Sequence, residues 1–483
     1  MRRVNHARRP AILLWLLAAL LPMFAEPALA QQARSGAKPP NIVLILSDDE
    51  DLGIHPYMPR VKQLIEDRGT VFDNFFVPYP LCAPSRASIL RGQYPHNTLV
   101  LGNWAPEGSF LTFRRLKREE STIATWLQAA GYRTALYGKY LNDYRETDAP
   151  PPGWDEWHAG NADAYDNVDY KLNVNGKVEV HGDAPEDYLT DLIARRAADH
   201  IRRFSAEGRP FFLYVAPFSP HSPYNPAGRH RDMFAEVDLQ RPPSFEEADV
   251  SDKPSFIREL PHLRNDEIDE IRAHHRRRLQ CLQSVDELVE TLVRTLAETG
   301  ELESTYIVYT SDNGFHLGLH RMMEGKDTAF EEDIRVPFAV AGPGIAKGRR
   351  VEAMSLTTDL APTFAEWAGA EAPDFVDGRS MVPLLHDPTV PWRRSFLIQR
   401  QGLESDERLK PANALAIRTE THTYVAYNNT ERELYDLAKD PYQLKNIEPA
   451  ADKALIDALA TRLTEIRACR GSECRDLEDM AVK

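Results

Sequence analysis

Residues 41–50 read NIVLILSDDE. Five consecutive apolar residues sit between Asn41 and Ser47, and two aspartates come directly after the serine. A strand with one wet face alternates polar and apolar residues. An unbroken run of this length marks a strand covered on both faces of its sheet. Four similar runs recur along the chain: TALYG (134–138), PFFLYVA (210–216), TYIVYTS (305–311) and VPFAVAG (336–342). Helical patterns lie between them. TIATWLQAAG (122–131) stops at a glycine, and residues 277–300 carry a leucine- and valine-rich stripe from Leu279 to Leu296 that reads as core packing. Strands alternating with helices give an α/β fold.

The polar residues at the ends of these runs point to one shared site. The first run ends in Asp48 and Asp49, the second in Lys139, the third in Pro220 and His221, the fourth in Asp312 and Asn313. In open α/β sheets, ligands gather beyond the carboxyl ends of the strands. Adjacent buried carboxylates repel unless a cation lies between them. Asp312 and Asn313 would add two more oxygen donors, and such a set suits a hard ion, Ca²⁺ or Mg²⁺. Either pair alone would fit a helix cap or a turn equally well.

A second stretch, LCAPSRASILRG (81–92), places a cysteine where an apolar core thiol would not sit. Pro84 suits the first residue of a helix and Gly92 a stop, which predicts a helix over 84–91 with Cys82 at or just before its start. Helix N-termini favour negative charge, and Arg86, one turn in, offers a guanidinium to an oxyanion. A reactive residue holding a tetrahedral anion fits this setting. Of the other cysteines, Cys281 falls in a helical pattern as a buried thiol. Cys469 and Cys474, in CRGSECR, are spaced for a small disulfide loop.

The chain has 483 residues and a formal net charge of −15. Residues 1–30 combine four arginines, an apolar stretch and the small-x-small end Ala28-Leu29-Ala30, the layout of a secretory signal peptide. The apolar stretch is short for spanning, so no stable membrane anchor is expected, and the protein is read as exported, periplasmic or secreted. The acidic balance gives nucleic acid no attraction, and HHRRR (274–278) reads as a solvated helix face. Residues 31–385 form the expected catalytic domain, with an irregular insertion over 222–265. From 386 the texture changes: a linker-like HDPTVPWRRS, short alternating stretches and a helix from Asp452 to about Arg467 suggest a small C-terminal α+β subdomain over 386–483.

CAPSR, followed by three residues, Leu90, one residue and Gly92, resembles the signature of the formylglycine-dependent sulfatases. SDDEDLG and TSDNGFHLGLH resemble that family's two metal-binding segments. GKYLNDY, SPHSPY, EGKDTAFEEDIRVPFAVAGPG and ELYDLAKDPYQLKN match further family segments in order, from residue 41 to about 447. GKYLN is most similar to the N-acetylglucosamine-6-sulfatase and extracellular heparan-type branch. The resemblance implies an alkaline phosphatase-like fold: a large mixed, mostly parallel sheet flanked by helices on both faces. It implies that a formylglycine-generating enzyme oxidises Cys82, and that the hydrated aldehyde attacks sulfur through one hydroxyl and releases sulfate through the other. It also implies one cation, Ca²⁺ ahead of Mg²⁺, on Asp48, Asp49, Asp312, Asn313 and the residue at 82. Arg86, Lys139 and Lys326 would then bind the sulfate, and His221 would protonate the leaving oxygen. His316 or His320 is the candidate base for sulfate release, with His320 also a candidate substrate contact. Leu141 stands where many sulfatases carry a histidine, so that residue's task must pass to another group. The implied substrate is a sulfated carbohydrate, 6-O-sulfated N-acetylglucosamine first, or another sulfate monoester. Trp104 and Tyr224 are candidates for stacking on a sugar ring, and His96 fits either the cleft or a turn. The competing readings are a phosphonate monoester hydrolase or phosphodiesterase of the same superfamily, and a noncatalytic sulfoglycan-binding protein.

Overall fold

The computed structural model describes residues 38–400 and 413–482; the expected signal peptide, residues 1–30, lies outside the described residues. Among these, ten strands form one sheet. In chain order they are β1 (Asn41–Ser47), β2 (Thr70–Phe72), β3 (Arg133–Gly138), β4 (Glu156–Gly160), β5 (Lys171–Val174), β6 (Lys177–Val180), β7 (Phe211–Ala216), β8 (Thr305–Ser311), β9 (Phe338–Ala341) and β10 (Arg349–Val351). Their spatial order is β10-β2-β9-β8-β1-β7-β3-β4-β5-β6. The five central strands, β8, β1, β7, β3 and β4, are parallel. Antiparallel β9 and the β5–β6 hairpin extend the sheet on its two sides.

All five apolar runs are strands of this sheet. β1 shows why its sequence does not alternate. Ile42, Leu44 and Leu46 enter one apolar core, while Val43 and Ile45 enter a second core on the opposite face. Helices α1 (Cys82–Arg91), α2 (Ile123–Ala129) and, later in the chain, α5 (Leu360–Ala368) pack into the first core. Helices α3 (Leu189–Ala206) and α4 (Asn265–Glu298) pack into the second. Of the strands that the sequence did not signal, β2, β5, β6 and β10 lie toward the two sides of the sheet, where a strand need not be hydrophobic on both faces, and β4 borders the parallel centre with Trp157 and Ala159 in the first core.

α4 carries the anticipated stripe but begins earlier than that stripe does. Its first turns are polar and held by a cap in which the Arg264 N–H donates to Glu267 Oε2 at 2.9 Å. HHRRR lies on this helix, but it is not simply a solvated face: His275 and Arg278 are buried, and Arg278 Nη1 pairs with Asp51 Oδ2 at 2.7 Å. Residues 222–265 are irregular apart from two short helical turns. Among the described residues, no helix is long and apolar enough to cross a membrane.

The C-terminal region forms an antiparallel sheet of β11 (Ser395–Arg400), β12 (Ala414–Thr419), β13 (His422–Tyr427) and β14 (Arg432–Asp436), with α6 (Lys453–Ile466) packed against it. A further helix, α7 (Ser472–Asp479), overlaps the disulfide that joins Cys469 to Cys474. Phe396, Ile398 and Leu463 belong to the same core as α1, so the first core runs continuously into this region. The segment read as a linker is itself anchored. Arg393 is buried and donates through Nη1 and Nη2 to Asp359 at 2.6 and 2.9 Å and through Nε to Glu478 at 2.9 Å. Removing one member of a buried ion cluster strands its partners without solvent. Arg393→Ala is therefore expected to cost about 3–5 kcal/mol, read as a lowered denaturation midpoint; an unchanged midpoint would show that Asp359 and Glu478 are satisfied without it.

Candidate active site

α1 starts at Cys82. Leu81 is its extended cap residue, and the first helical bond runs from the Ser85 N–H to Leu81 O at 3.0 Å. Pro84 therefore lies among the opening residues whose N–H groups have no helical partner, where proline costs nothing, and the helix begins two residues before the predicted start. Gly92 ends it with φ +64°, donating its N–H to Ser88 O at 2.8 Å. The strand ends supply the rest. Asp48 and Asp49 follow β1, Asp312 and Asn313 follow β8, and His221 follows β7. Gly138 closes β3 with φ +91°, and a Cβ there would lie 2.0 Å from Ala216 O. Only glycine permits this close turn, which delivers Lys139 to the site.

These groups meet. Lys139 Nζ donates to Asp48 Oδ2 at 2.6 Å, and Arg86 Nε donates to Asp312 Oδ2 at 2.7 Å. Lys326 Nζ lies 2.8 Å from Cys82 Sγ and also donates to Asp49 Oδ1. Cys82 Sγ is 3.7 Å from Asp48 Oδ1, and His221 Nε2 is 3.5 Å from Asp49 Oδ2. Asn313 Nδ2 donates to Asp49 Oδ1 at 2.7 Å, and the Asp49 N–H donates to Asp312 Oδ1 at 3.2 Å. Three carboxylates and three cationic side chains thus share one buried volume.

Their ionisation follows from this crowding. Burial pushes Asp48 up, but Lys139, His221, Arg86 and Lys326 outweigh it and hold its carboxyl below the ordinary range. Burial pushes Asp312 up to about 6 against the pull of Arg86, with Asp48 and Asp49 adding to the rise. Burial lifts the Cys82 thiol to about 11 despite two nearby lysines, so as a plain cysteine it is a neutral thiol and a poor nucleophile. Burial lowers His221, opposed by Asp49 and Asp48.

The donors fit a hard divalent cation. Ligand atoms of Asp48, Asp49, Cys82 and His221 all lie within 4.8 Å of one another. Asn313 Oδ1 is buried with no hydrogen-bond partner. Carboxylate and amide oxygens at the mouth of a parallel sheet are the donors Ca²⁺ and Mg²⁺ accept.

Beside this cluster opens a cavity of about 360 Å³ lined by Lys139, His221, Leu141, Tyr165, Asn103 and Trp104. Tyr165 carried no sequence signal. Its ring centroid lies 4.5 Å from that of His221 and 5.0 Å from Lys139 Nζ. Trp104 is 62 % exposed, whereas Tyr224 is buried and its hydroxyl donates to Glu324 at 3.3 Å, which removes it from sugar stacking. His316 is buried with Nδ1 at 2.9 Å from Asp333 Oδ1, and its Nε2 has no partner. It pairs across a short ladder with Gly325, the residue before Lys326. His320 is not brought to the cluster. It is fully buried, bonded to Glu247 at 2.6 Å and stacked on Phe330, so the reading of it as a substrate contact is corrected. His96 likewise bonds Gln399 and the Cys469 carbonyl and lies outside this cleft. The sequence did carry a signal for the burial of Arg278: Ile271, His275, Arg278, Leu282 and Val285 keep helical phase, which marks it as inward-facing.

Comparison with known proteins identifies the family. The sulfatase family profile matches residues 40–370, and a profile described as the C-terminal region of N-sulphoglucosamine sulphohydrolase matches 318–469. The human N-acetylglucosamine-6-sulfatase is 34% identical over 96% of this chain and 90% of its own length. The extracellular sulfatase SULF-1 homolog of Drosophila melanogaster is 38% identical over 78% of this chain and 34% of that longer protein. Among solved structures, an enzyme in complex with its substrate D-glucosamine-2-N,6-O-disulfate superposes with a TM-score of 0.74 at 24% identity, covering 92% of this chain and 99% of that one. A phosphonate monoester hydrolase of Agrobacterium radiobacter superposes with a TM-score of 0.68 at 21% identity, covering 89% and 95%. At these identities the two structures carry the fold alone.

Calorimetric titration of chelator-treated protein with Ca²⁺ is expected to show one site and a raised melting temperature, since a bound ion screens the clustered carboxylates. Even outer-shell changes cost metal sites roughly tenfold or more in affinity, so Asn313→Ala should weaken binding at least that much. Unchanged affinity in the variant would remove Asn313 from the ligand set.

Proposed function

The chain belongs to the sulfatase family and is a sulfuric ester hydrolase, and on that premise we propose that it removes sulfate from a glycan, 6-O-sulfated N-acetylglucosamine units first, through a formylglycine made from Cys82. The observation that carries this reading is the position of residue 82: the first residue of a buried helix, with Lys326 Nζ 2.8 Å and Asp48 Oδ1 3.7 Å from its side-chain tip. Hydrated formylglycine would supply a nucleophilic hydroxyl and a second one for sulfate release, and a divalent cation, Ca²⁺ ahead of Mg²⁺, held by Asp48, Asp49, Asp312 and Asn313, would supply charge neutralisation at the sulfate oxygens.

The chain's own residues do the rest. Lys326 holds the side chain at 82 in place and balances Asp49. Arg86 spends Nε on Asp312 and keeps Nη2 buried without a hydrogen-bond partner, a donor for a sulfate oxygen. Lys139 lines the cleft and adds a second fixed charge. His221 lies on the cleft wall, where a proton donor can reach the leaving oxygen. Leu141 leaves no imidazole at its own position. His316, its Nδ1 fixed by Asp333 and its Nε2 unpaired, takes the part of the base that accepts a proton as sulfate leaves. Export and maturation by a formylglycine-generating enzyme complete the reading. The sequence resemblance supports maturation, and the leader-like residues 1–30 support release to the periplasm or outside the cell.

Two measurements test it. In protein co-expressed with a formylglycine-generating enzyme, the tryptic peptide ending at Arg86 should carry an aldehyde at position 82. An intact thiol, beside a control sulfatase matured in the same cells, would sink this mechanism and move the noncatalytic reading forward. His221→Ala should lower kcat by roughly 10²–10⁴-fold on sugar sulfates and far less on an aryl sulfate whose leaving group needs no proton. Equal losses on both would deny it the acid's role. Parallel rates on a phosphonate monoester would decide between the sulfatase and phosphonate readings.

A further inference from the structure

Six of the seven buried arginines among the described residues have a carboxylate oxygen within 3.8 Å: Arg86, Arg278, Arg393, Arg400, Arg418 and Arg462. Arg91 is the exception. It is 4 % exposed and forms no ion pair among the described residues. Its Nε and Nη1 donate to Gln93 and to the carbonyls of Arg118 and Ser121, and its guanidinium lies 4.2 Å from the centroid of the Phe375 ring. It lines a cavity of about 380 Å³ together with Arg118 and Arg470, neither of which has a carboxylate partner among the described residues. Arg118 spends Nε and one terminal nitrogen on the carbonyls of Thr98 and Asn97. Asp374 is the sole acidic residue of the lining. Burial lowers Arg91 to about 10, with Arg118 adding to the effect and Asp377 opposing it, and Arg470 similarly depresses Arg118 after burial: three like charges share the cavity with no carboxylate in ion-pair contact among the described residues. In a chain of net charge −15, such a cluster is a local attractor for anions.

One chain segment, residues 99–104, contributes to both this cavity and the catalytic cleft. Leu99 lines the arginine cavity, and Asn103 and Trp104 line the cleft beside Lys139 and His221. Asn103 is the fourth residue after Leu99, so their backbones are at most about 14 Å apart. The segment between is fixed by Tyr79, whose hydroxyl donates to Leu101 O at 2.7 Å, and Trp104 stands exposed next to it.

We propose that this cavity is a second sulfate-binding site, where Arg91, Arg118 and Arg470 hold a sulfate group of a glycan chain while another unit of the same chain occupies the catalytic cleft. The proposal rests on the glycan reading above and adds a requirement for chain length. Guanidinium groups suit the task because they offer paired N–H donors to tetrahedral oxyanions. An aryl sulfate or a monosaccharide would not reach the cavity, so its turnover is independent of these arginines.

The test compares the matured full-length enzyme with its R118Q/R470Q variant. On an aryl sulfate the two should have equal kcat and KM. On a sulfated oligosaccharide long enough to fill both cavities, the variant's KM should rise roughly tenfold with kcat unchanged, the scale expected for losing charge-assisted hydrogen bonds. Equal KM values on that substrate would overturn the proposal. Arg470→Glu, at an exposed side chain, serves if the double variant does not fold, with the same expected direction. Direct binding of a sulfated polysaccharide and its desulfated form reads the site without turnover. Roughly tenfold weaker binding of the sulfated form by the variant supports the cavity even if no glycan is hydrolysed, a result that would fail the proposed function alone. Inorganic sulfate is titrated into both proteins as the other source of the same anion. Binding that the variant loses, without any chain-length effect on KM, would assign the cavity to free sulfate and overturn its role in holding glycan.

Discussion

Three carboxylates and three fixed cationic side chains occupy the buried mouth of the parallel sheet, and neither set is tolerable there without the other. Asp48 is held ionised by Lys139 and Arg86, and Asp49 lies against Lys326 and Asn313. Asp312 is drawn up by burial yet bonded to Arg86. Removing any one charge would leave its partner in a low-dielectric interior, where unpaired ions cost several kcal/mol. The arrangement therefore preserves its own geometry, and residue 82 inherits a fixed position in the middle of it. A divalent cation and a sulfate ester fit the same logic, since each brings a charge for which a complement already stands.

The scaffold that keeps these charges in place is apolar. β1 sends alternate side chains into two different cores, which fixes the height at which Asp48 and Asp49 emerge. β8 pairs with β1 over its full length, so Asp312 and Asn313 emerge beside them. The C-terminal sheet contributes to one of these cores and so supports the segment before residue 82. The Gln399 N–H donates to Pro78 O at 2.8 Å, and the Asp327 N–H, next to Lys326, donates to Pro80 O at 3.0 Å. Rigid support of this kind matters for a reaction that depends on donors aimed in advance at a developing charge. The cleft wall is softer in its chemistry. Leu141 presents carbon where many sulfatases have imidazole, and Tyr165 stands close to both Lys139 and His221.

The amino-acid order alone dictates the central strands, the α1 segment around Cys82, the charged residues at the strand ends and the family to which they belong. Continuous apolar runs have one stable environment, a sheet covered on both faces, and the strand ends must then converge. It does not dictate which of two histidines comes to lie beside the segment of Lys326. His316 and His320 are four residues apart and equivalent on the sequence, yet one pairs across a short ladder with Gly325, next to Lys326, and the other is held between Glu247 and Phe330. Nor does it reveal that Arg393 faces inward, that Tyr224 is buried, or that Arg91, Arg118 and Arg470 share a cavity. Those outcomes depend on partners in other segments, 34 residues away for Arg393 and Asp359 and 100 for Tyr224 and Glu324, and local periodicity carries no record of them. Strand pattern is a local consequence of burial, whereas the pairing of charges is set only when distant segments pack.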